Sequence, residues 1–168
     1  EKIQYTSSVA VALAYPNANL PPGFGFLVPR SEGRKLMACT FVHNKFSGRA
    51  PEGAALLRCF FSSSRVPGLL KYSDDELESF ARQEIKEILG LEAAPQFSCV
   101  FRWQQGLPQY ELGHLERAAE IEARLAQTPG LQLIGNSLYG VGIPDCIKSA
   151  KLAVEKLQQL GKPDLVIG

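Results

Sequence analysis

A glycine-containing segment near the end of the chain has the residue types and spacing of an anion or cofactor site. Residues 131–147 read LQLIGNSLYGVGIPDCI, which predicts a short strand, a glycine turn and the start of a helix. Gly142 and Ile143 stand where a capping residue normally accepts the first helical N–H groups, so we expect free donors. They would lie at the positive end of the helix dipole, where glycines allow close approach. The pattern suits a phosphate, a carboxylate or the polar edge of a flavin; a plain turn bonded to water or to Asp145 fits it too.

No set of side chains typical of acid–base, nucleophilic or metal catalysis is visible, so no catalytic residue is predicted. His43 and His114 are the only histidines. Neither has a partner at a telling spacing, and both are interpreted as structural. The four cysteines contain no Cys-x-x-Cys pair and are interpreted as buried free thiols. A complete Gly-x-Gly-x-x-Gly fingerprint is absent, so this sequence alone does not build a full dinucleotide site.

Aromatic residues are concentrated in strand-like segments. A sheet face that carries many rings can form the wall of a flat, apolar pocket, and the same rings could equally form an ordinary core. The aromatic set consists of Phe24, Phe26, Phe41, Phe46, Phe60, Phe61, Phe97, Phe101 and Trp103.

The elements that must position these residues form an α+β pattern, a mainly antiparallel sheet with flanking helices. Short connections between sequential strands favour a meander. Ser73 and Glu76 form a capping box and Gly90 a C-terminal cap, which predicts a helix between them. The last helix is expected to turn Cys146, Ile147, Ala150, Ala153, Val154 and Leu157 inward. Predicted strands cover residues 9–15, 24–29, 35–43, 54–61, 97–103 (broken by the Gly-Leu-Pro at 106–108) and 131–134, and predicted helices cover 74–89, 115–127 and 144–160.

Composition limits the classes of protein that need to be considered. The chain has 168 residues, of which 45% are hydrophobic, enough for a sizeable core. Its 18 Lys and Arg and 17 Asp and Glu are interspersed, which argues against a nucleic-acid module. No apolar run approaches the ~20 residues that span a bilayer, and the N-terminal residues lack the order of a signal peptide. Because the chain opens with Glu1 rather than Met, we expect a processed product or a piece of a longer protein.

Three blocks of sequence resemble the protoporphyrinogen oxidases, FAD enzymes of haem synthesis in the flavin amine oxidase superfamily. They are residues 23–29 (GFGFLVP), 108–114 (PQYELGH) and 135–147 (GNSLYGVGIPDCI), in the order seen in that family. The resemblance covers nearly the whole chain. Residues 60–63 (FFSS) depart from it, because many members carry a glycine-rich strand end there.

The resemblance implies the C-terminal part of a longer enzyme whose N-terminal part supplies the Rossmann unit for FAD. Residues 1–112 would then belong to the substrate-binding sheet domain. Residues 113–168 would return to the FAD-binding domain as a helix followed by a strand–loop–helix. The implied cofactor contacts are the backbones of Gly140, Val141, Gly142 and Ile143, and the implied tetrapyrrole contacts are Phe24, Leu27 and Phe60, with Trp103 placed nearby as a guess.

By the same resemblance, the reaction would be oxidation of protoporphyrinogen IX to protoporphyrin IX by hydride transfer to flavin, with O₂ reoxidising the flavin. This chain alone would be inactive. Two alternatives stay open: an FAD-dependent amine or polyene oxidase of the same superfamily, and a non-catalytic binding module. A cytoplasmic location is expected. Apolar surfaces that would face the missing part could also allow a homo-oligomer, and peripheral membrane association is left open.

Overall fold

The computed structural model of the chain describes residues 3–160. Strands and helices alternate irregularly along these residues, with two short 3₁₀ turns at Arg30–Glu32 and Leu69–Lys71. The strands are β1 (Tyr5–Tyr15), β2 (Gly25–Leu27), β3 (Ala38–Phe41), β4 (Ala55–Ser62) and β5 (Phe97–Pro108), and the helices are α1 (Val42–Lys45), α2 (Asp74–Leu89), α3 (His114–Leu125) and α4 (Ile143–Leu160).

The five strands form one sheet in the order β2-β3-β4-β1-β5. Neighbouring pairs β2–β3, β3–β4 and β4–β1 are all antiparallel. The predicted α+β class is therefore confirmed. The predicted simple meander holds only for β2, β3 and β4, because β1 lies between β4 and β5 rather than beside β2.

One face of the sheet builds the core. Alternate residues of β4, such as Leu57, Cys59 and Phe61, are fully buried, as the two-residue period of a half-covered strand requires. Helix α2 packs on this face through Leu77 and Ile85, which are also fully buried. Fully burying a side chain of this size contributes about 1.5–3 kcal/mol.

Helix α2 begins and ends as predicted. The Ser73 hydroxyl accepts a hydrogen bond from the Glu76 N–H at 3.2 Å, and the Glu76 carboxylate accepts one from the Ser73 N–H at 2.8 Å. At the other end Gly90 adopts a left-handed conformation, φ 69°, and its N–H donates to the Lys86 carbonyl. The capping box therefore fixes the helix that closes the core.

Strand β5 is longer than predicted. It continues to Pro108, through the glycine and proline that were expected to end it. The irregularity lies instead at Gln105, whose φ of 47° is the one positive value at a non-glycine residue among residues 3–160. Its N–H donates to the Ser7 hydroxyl at 3.0 Å, so a side chain of β1 takes part in holding the strand across the irregular point.

His43 lies in helical turn α1 rather than on a strand, because β3 ends at Phe41. Its Nδ1 accepts a hydrogen bond from the Leu56 N–H at 3.1 Å, which agrees with a structural role.

The described residues divide into two compact units, one made of residues 6–106 and the other of residues 3–5 with 107–160. The first contains most of the sheet and α2, and the second contains α3, α4 and the segment between them. The predicted domain division at residues 112 and 113 concerns the longer enzyme and stays a prediction.

One prediction for the C-terminal unit is wrong, and a second is correct only in part. Residues 131–134 form no strand. Leu131 and Leu133 are about half exposed, so the apolar residues that suggested a strand have little to pack against. In α4 only Ala153 is buried, whereas Ile147 and Val154 of the expected inner side are exposed. Both segments have the apolar pattern of buried elements, but few neighbours among residues 3–160 bury them.

Candidate functional site

The predicted cofactor segment is a loop that leads into the first turn of α4. The helix begins at Ile143, and its first hydrogen bond joins the Cys146 N–H to the Gly142 carbonyl at 3.1 Å. The N–H groups of Val141, Gly142 and Ile143 find no acceptor among residues 3–160. Three adjacent donors at the positive end of a helix dipole suit a ligand with negative charge or carbonyl oxygens.

Gly140 differs from its three neighbours because its N–H is already used. It donates to the Tyr110 hydroxyl at 2.8 Å. Its φ is 135°, and a Cβ at this position would lie 2.5 Å from Cγ of Asp145. The Asp145 side chain therefore occupies the space that a larger residue would need. The implied contact of Gly140 with a cofactor stays a prediction, and the structure gives its amide a role inside the protein.

Tyr110 and His114 hold this loop in place. The Tyr110 hydroxyl also donates to the Asn136 carbonyl at 2.7 Å, so it bridges two points of the loop. The His114 ring lies 3.8 Å from the Tyr110 ring, nearly parallel to it, and its Nε2 is 2.8 Å from the Leu138 carbonyl. Because a carbonyl only accepts, Nε2 carries the proton in this contact. We call Tyr110 and His114 the ring pair.

The sequence places both residues of the ring pair in a single block, but it predicts only a structural role for His114 and none for Tyr110. Their four-residue spacing is not a helical signal, because Tyr110 precedes α3, which begins at His114 after the left-handed Gly113. The partners on the loop lie 24 to 30 residues further along the chain, and no local pattern links them.

The implied substrate residues belong to the sheet. We call the face opposite α2 the open face. Phe60 lies on it because Cys59 and Phe61, its neighbours in β4, point into the core. Cross-strand register places Ala38 beside Phe60 and Leu27 beside Ala38, so Leu27 shares this row. Leu27 is 82% exposed.

Phe24 lies apart from that row. It precedes β2 and is 65% exposed. A shallow pocket of about 240 Å³ at the edge strand includes Phe24 and Leu27 in its lining, and Phe60 does not line it. Phe24 and Leu27 therefore line the same pocket, and Leu27 and Phe60 lie in the same cross-strand row. The three residues do not line one common cavity.

Strand β5 adds aromatic rings to the open face. Ser98 and Arg102 contact residues of α2, so the alternate residues point to the other side of the sheet. These include Phe101 and Trp103, whose rings are stacked with centroids 6.1 Å apart. The predicted aromatic wall therefore forms in part, while Phe41 and Phe61 belong to the core.

The sheet unit also contains the two buried cysteines. Cys39 and Cys59 are direct cross-strand partners and both are free thiols. The hydrogen bond with Cys39, followed by burial, raises the pKa of Cys59 well above its ordinary value. The predicted buried free thiol is correct for these two residues, whereas Cys99 and Cys146 are only half-buried. Within residues 3–160 no group of three or more His, Cys, Asp or Glu side chains is placed to hold a metal ion.

Comparison with known families identifies the chain. Residues 1–158 match the model of the family described as flavin containing amine oxidoreductase. The chain therefore belongs to that family, and FAD is confirmed as the expected cofactor. The three amides without acceptors fit such a group, because a flavin ring presents carbonyl oxygens and nitrogens at its polar edge.

Individual relatives show which enzymes of this family the chain resembles. The chain is 35% identical over 158 residues to the coproporphyrinogen III oxidase of Bacillus subtilis (strain 168), covering 91% of this chain and 34% of the relative. It is 31% identical over 162 residues to the chloroplastic protoporphyrinogen oxidase 1 of Spinacia oleracea, covering 89% of this chain and 29% of the relative. The chain thus spans about a third of the length of the curated relatives it matches.

Solved structures agree with this assignment. A crystal structure of an Exiguobacterium sp. 255-15 protein assigned as a protoporphyrinogen oxidase matches with a TM-score of 0.83 and 32% identity, over 94% of this chain and 36% of that one. A reduced UDP-galactopyranose mutase matches with a TM-score of 0.74 at 19% identity, over 95% of this chain and 34% of that one, which supports the fold alone. Within the described part of the chain, no helix is long and apolar enough to cross a membrane.

Proposed function

We propose that this chain is the C-terminal part of an FAD-dependent porphyrinogen oxidase of haem synthesis. The observation that carries the proposal is the set of unused N–H groups at Val141, Gly142 and Ile143, held on a loop that the ring pair fixes. The family match and the names of the relatives support a flavin at these groups and a tetrapyrrole as substrate.

The chain's own residues would do binding and positioning rather than proton transfer. Backbone amides of the loop would hold the polar edge of the flavin. The open face, with Phe60 and Leu27, would provide an apolar surface for a flat macrocycle, and Phe24 would add to it at the sheet edge. When bound, FAD supplies hydride acceptance and reoxidation by O₂, which no side chain of a protein can supply.

Two substrates fit the proposal. Protoporphyrinogen IX is the expectation from the sequence and is supported by the plant relative. Coproporphyrinogen III is favoured by the names of seven bacterial relatives at 31–35% identity. Both are reduced tetrapyrroles with ionised propionates, so the same face could accept either.

The remaining two thirds of the enzyme are the partner that the proposal requires. The 168-residue chain expressed alone should purify without flavin and without turnover. Co-expressed with the N-terminal part of a relative such as the Bacillus subtilis enzyme, it should copurify with FAD and oxidise porphyrinogen, followed by porphyrin fluorescence. Stoichiometric flavin on this chain alone, or no flavin in the co-expressed complex, would contradict the proposal.

We further propose a cytoplasmic enzyme, because its four cysteines are free thiols as in a reducing compartment. Exposed apolar residues of α4, such as Ile147 and Val154, would be covered by the rest of the enzyme or by a second copy of the chain. Peripheral attachment to a membrane would be detected by cosedimentation of the complete enzyme with lipid vesicles.

A further inference from the structure

Arg58 is an exposed cation on the open face. It lies in β4 two residues before Phe60, and the carbon of its guanidinium group is 5.0 Å from the centre of the Phe60 ring. No carboxylate lies within ion-pair distance of Arg58 in the part of the chain that is described. By contrast, Arg34 and Arg102 in the same unit pair with Glu87 and Asp74 at 2.6 and 2.5 Å.

The neighbours of Arg58 leave space over the sheet. Its cross-strand partners are Ala12 on β1 and Thr40 on β3, both small and uncharged. Phe60 is flanked in the same way by Ala10 and Ala38. The floor of the open face is therefore low on both sides of Arg58, where Ala12 and Thr40 are half-buried, whereas Ala10 beside Phe60 is fully buried. A flat ligand resting on this floor would meet a ring with a cation beside it.

We propose that Arg58 is a positioning residue that pairs with a propionate carboxylate of the porphyrinogen; this inference rests on the proposed function. The pyrrole that carries the propionate lies against Phe60, and the guanidinium receives the carboxylate at the rim of the macrocycle. The planar guanidinium can form two parallel hydrogen bonds to a carboxylate while it stays against the Phe60 ring. A macrocycle covering the face removes water from the pair, which strengthens the attraction.

The test uses the complete flavoenzyme that contains this chain, with Arg58→Met, Arg58→Gln and Arg58→Lys. For coproporphyrinogen III we expect Arg58→Met and Arg58→Gln to raise KM by ~10-fold or more, the loss of one charge-assisted hydrogen-bonded pair, with kcat within about twofold. Arg58→Lys should recover part of the loss because it keeps the charge without the planar fork.

Two comparisons separate a carboxylate contact from a general disturbance of the site. The tetramethyl ester of coproporphyrinogen III, assayed in the same detergent buffer, should show equal KM for the wild type and Arg58→Met. Arg49→Met removes the same charge from an exposed loop position and should leave KM for the free acid unchanged. Flavin content and melting temperature serve as controls for folding in every variant.

The outcomes distinguish this inference from the proposed function. An unchanged KM for the free acid in Arg58→Met and Arg58→Gln overturns the inference while oxidation by the wild type supports the function. An equal rise of KM for acid and ester also overturns it. If the wild type oxidises no porphyrinogen, binding of coproporphyrin III is measured by quenching of tryptophan fluorescence. Arg58-dependent binding of the acid then supports the carboxylate contact although the function fails, and Arg58-independent or absent binding overturns it.

Discussion

Gly140 shows how a single residue fixes the shape of the candidate flavin loop. Its φ of 135° is strained for any residue with a side chain, and Asp145 fills the space where a Cβ would stand. We expect Gly140→Ala to destabilise the loop by about 1–3 kcal/mol from backbone strain, with a further cost for moving Asp145. In the complete enzyme this should lower the FAD retained on purification and the melting temperature.

Gly135→Ala is the matched control for this prediction. Gly135 also has a positive φ, 118°, but nothing lies within 4 Å of the position of its Cβ. It carries the backbone strain without the displacement of Asp145. Equal loss of flavin in both variants would show that crowding by Asp145 is unimportant, and Asp145→Ala should partly rescue only Gly140→Ala.

Reactivity of the cysteines follows from their positions in the sheet. Because the pKa of Cys59 is raised, its reactive thiolate is scarcer at pH 8 than that of an ordinary thiol, and burial also blocks access. With iodoacetamide on the native protein, we expect Cys99 and Cys146 to be alkylated first and Cys39 and Cys59 only on unfolding. Peptide mapping by mass spectrometry resolves each site. Early labelling of Cys59 in the native protein would be inconsistent with this core. Complete labelling of native Cys59 at pH 8 would be inconsistent with it too.

At the scale of elements, the ring pair connects α3 to the loop before α4. Tyr110→Phe keeps the stacking on His114 but removes the hydroxyl that bridges Gly140 and Asn136. We expect a loss of about 1–3 kcal/mol, because a lost hydrogen bond leaves its partners unpaired. Hydrogen exchange should speed up in residues 135–142 of the complete enzyme, and the dissociation constant for FAD should rise.

Tyr5→Phe is a suitable control for Tyr110→Phe. Tyr5 is a partly exposed tyrosine at the start of β1. The Tyr5→Phe substitution removes an identical hydroxyl from another element. Faster exchange confined to residues 135–142 in Tyr110→Phe alone would support the bridging role. Unchanged exchange there would show that other contacts hold the loop.

Helix α2 offers a test of the element that covers the core. Ser73→Ala removes the N-terminal cap and should lower the free energy of unfolding by about 1 kcal/mol. Ser73→Asp should keep it, because aspartate caps a helix as well as serine does. Urea unfolding followed by circular dichroism measures both. Equal stability of the two variants would mean that the packing of Leu77 and Ile85 alone determines where the helix begins.

The contrast between α2 and residues 131–134 shows which elements can be predicted from local sequence. The signals of α2 lie within the helix itself, as a capping box, a periodic apolar face and a terminal glycine, and its bounds were predicted correctly. A strand needs a neighbour to complete its hydrogen bonds, and 131–134 has none among the described residues. Strand β5 is longer than its local sequence predicts for the opposite reason, since pairing within a sheet extends it past Gly106 and to Pro108.

For the whole molecule, the sequence predicts the kind of site more readily than the contacts that hold the site in place. The cap-free helix start predicts free donors at Gly142 and Ile143, and the resemblance extends the predicted cofactor contacts to Gly140 and Val141. The roles of Tyr110 and Arg58 needed the fold, because one depends on a contact across 30 residues and the other on strand register. Neither the Tyr110–Gly140 contact nor the register of β4 can be read from spacing along the chain.

The apolar surface of α4 gives a prediction for the chain as a whole. Ile147, Val154 and Leu157 recur at helical spacing, and the first two are more than half exposed, at 65% and 52%. Since exposed apolar stripes associate in water, the 168-residue chain alone should self-associate at micromolar concentration. Val154→Lys should shift light scattering toward the 18.4 kDa monomer, whereas Gln159→Lys adds the same charge off the stripe and should not.

Co-expression with the N-terminal part should suppress association of the wild type, because that part would cover the same stripe. A wild-type chain that is monomeric alone would show that the stripe is not an interface.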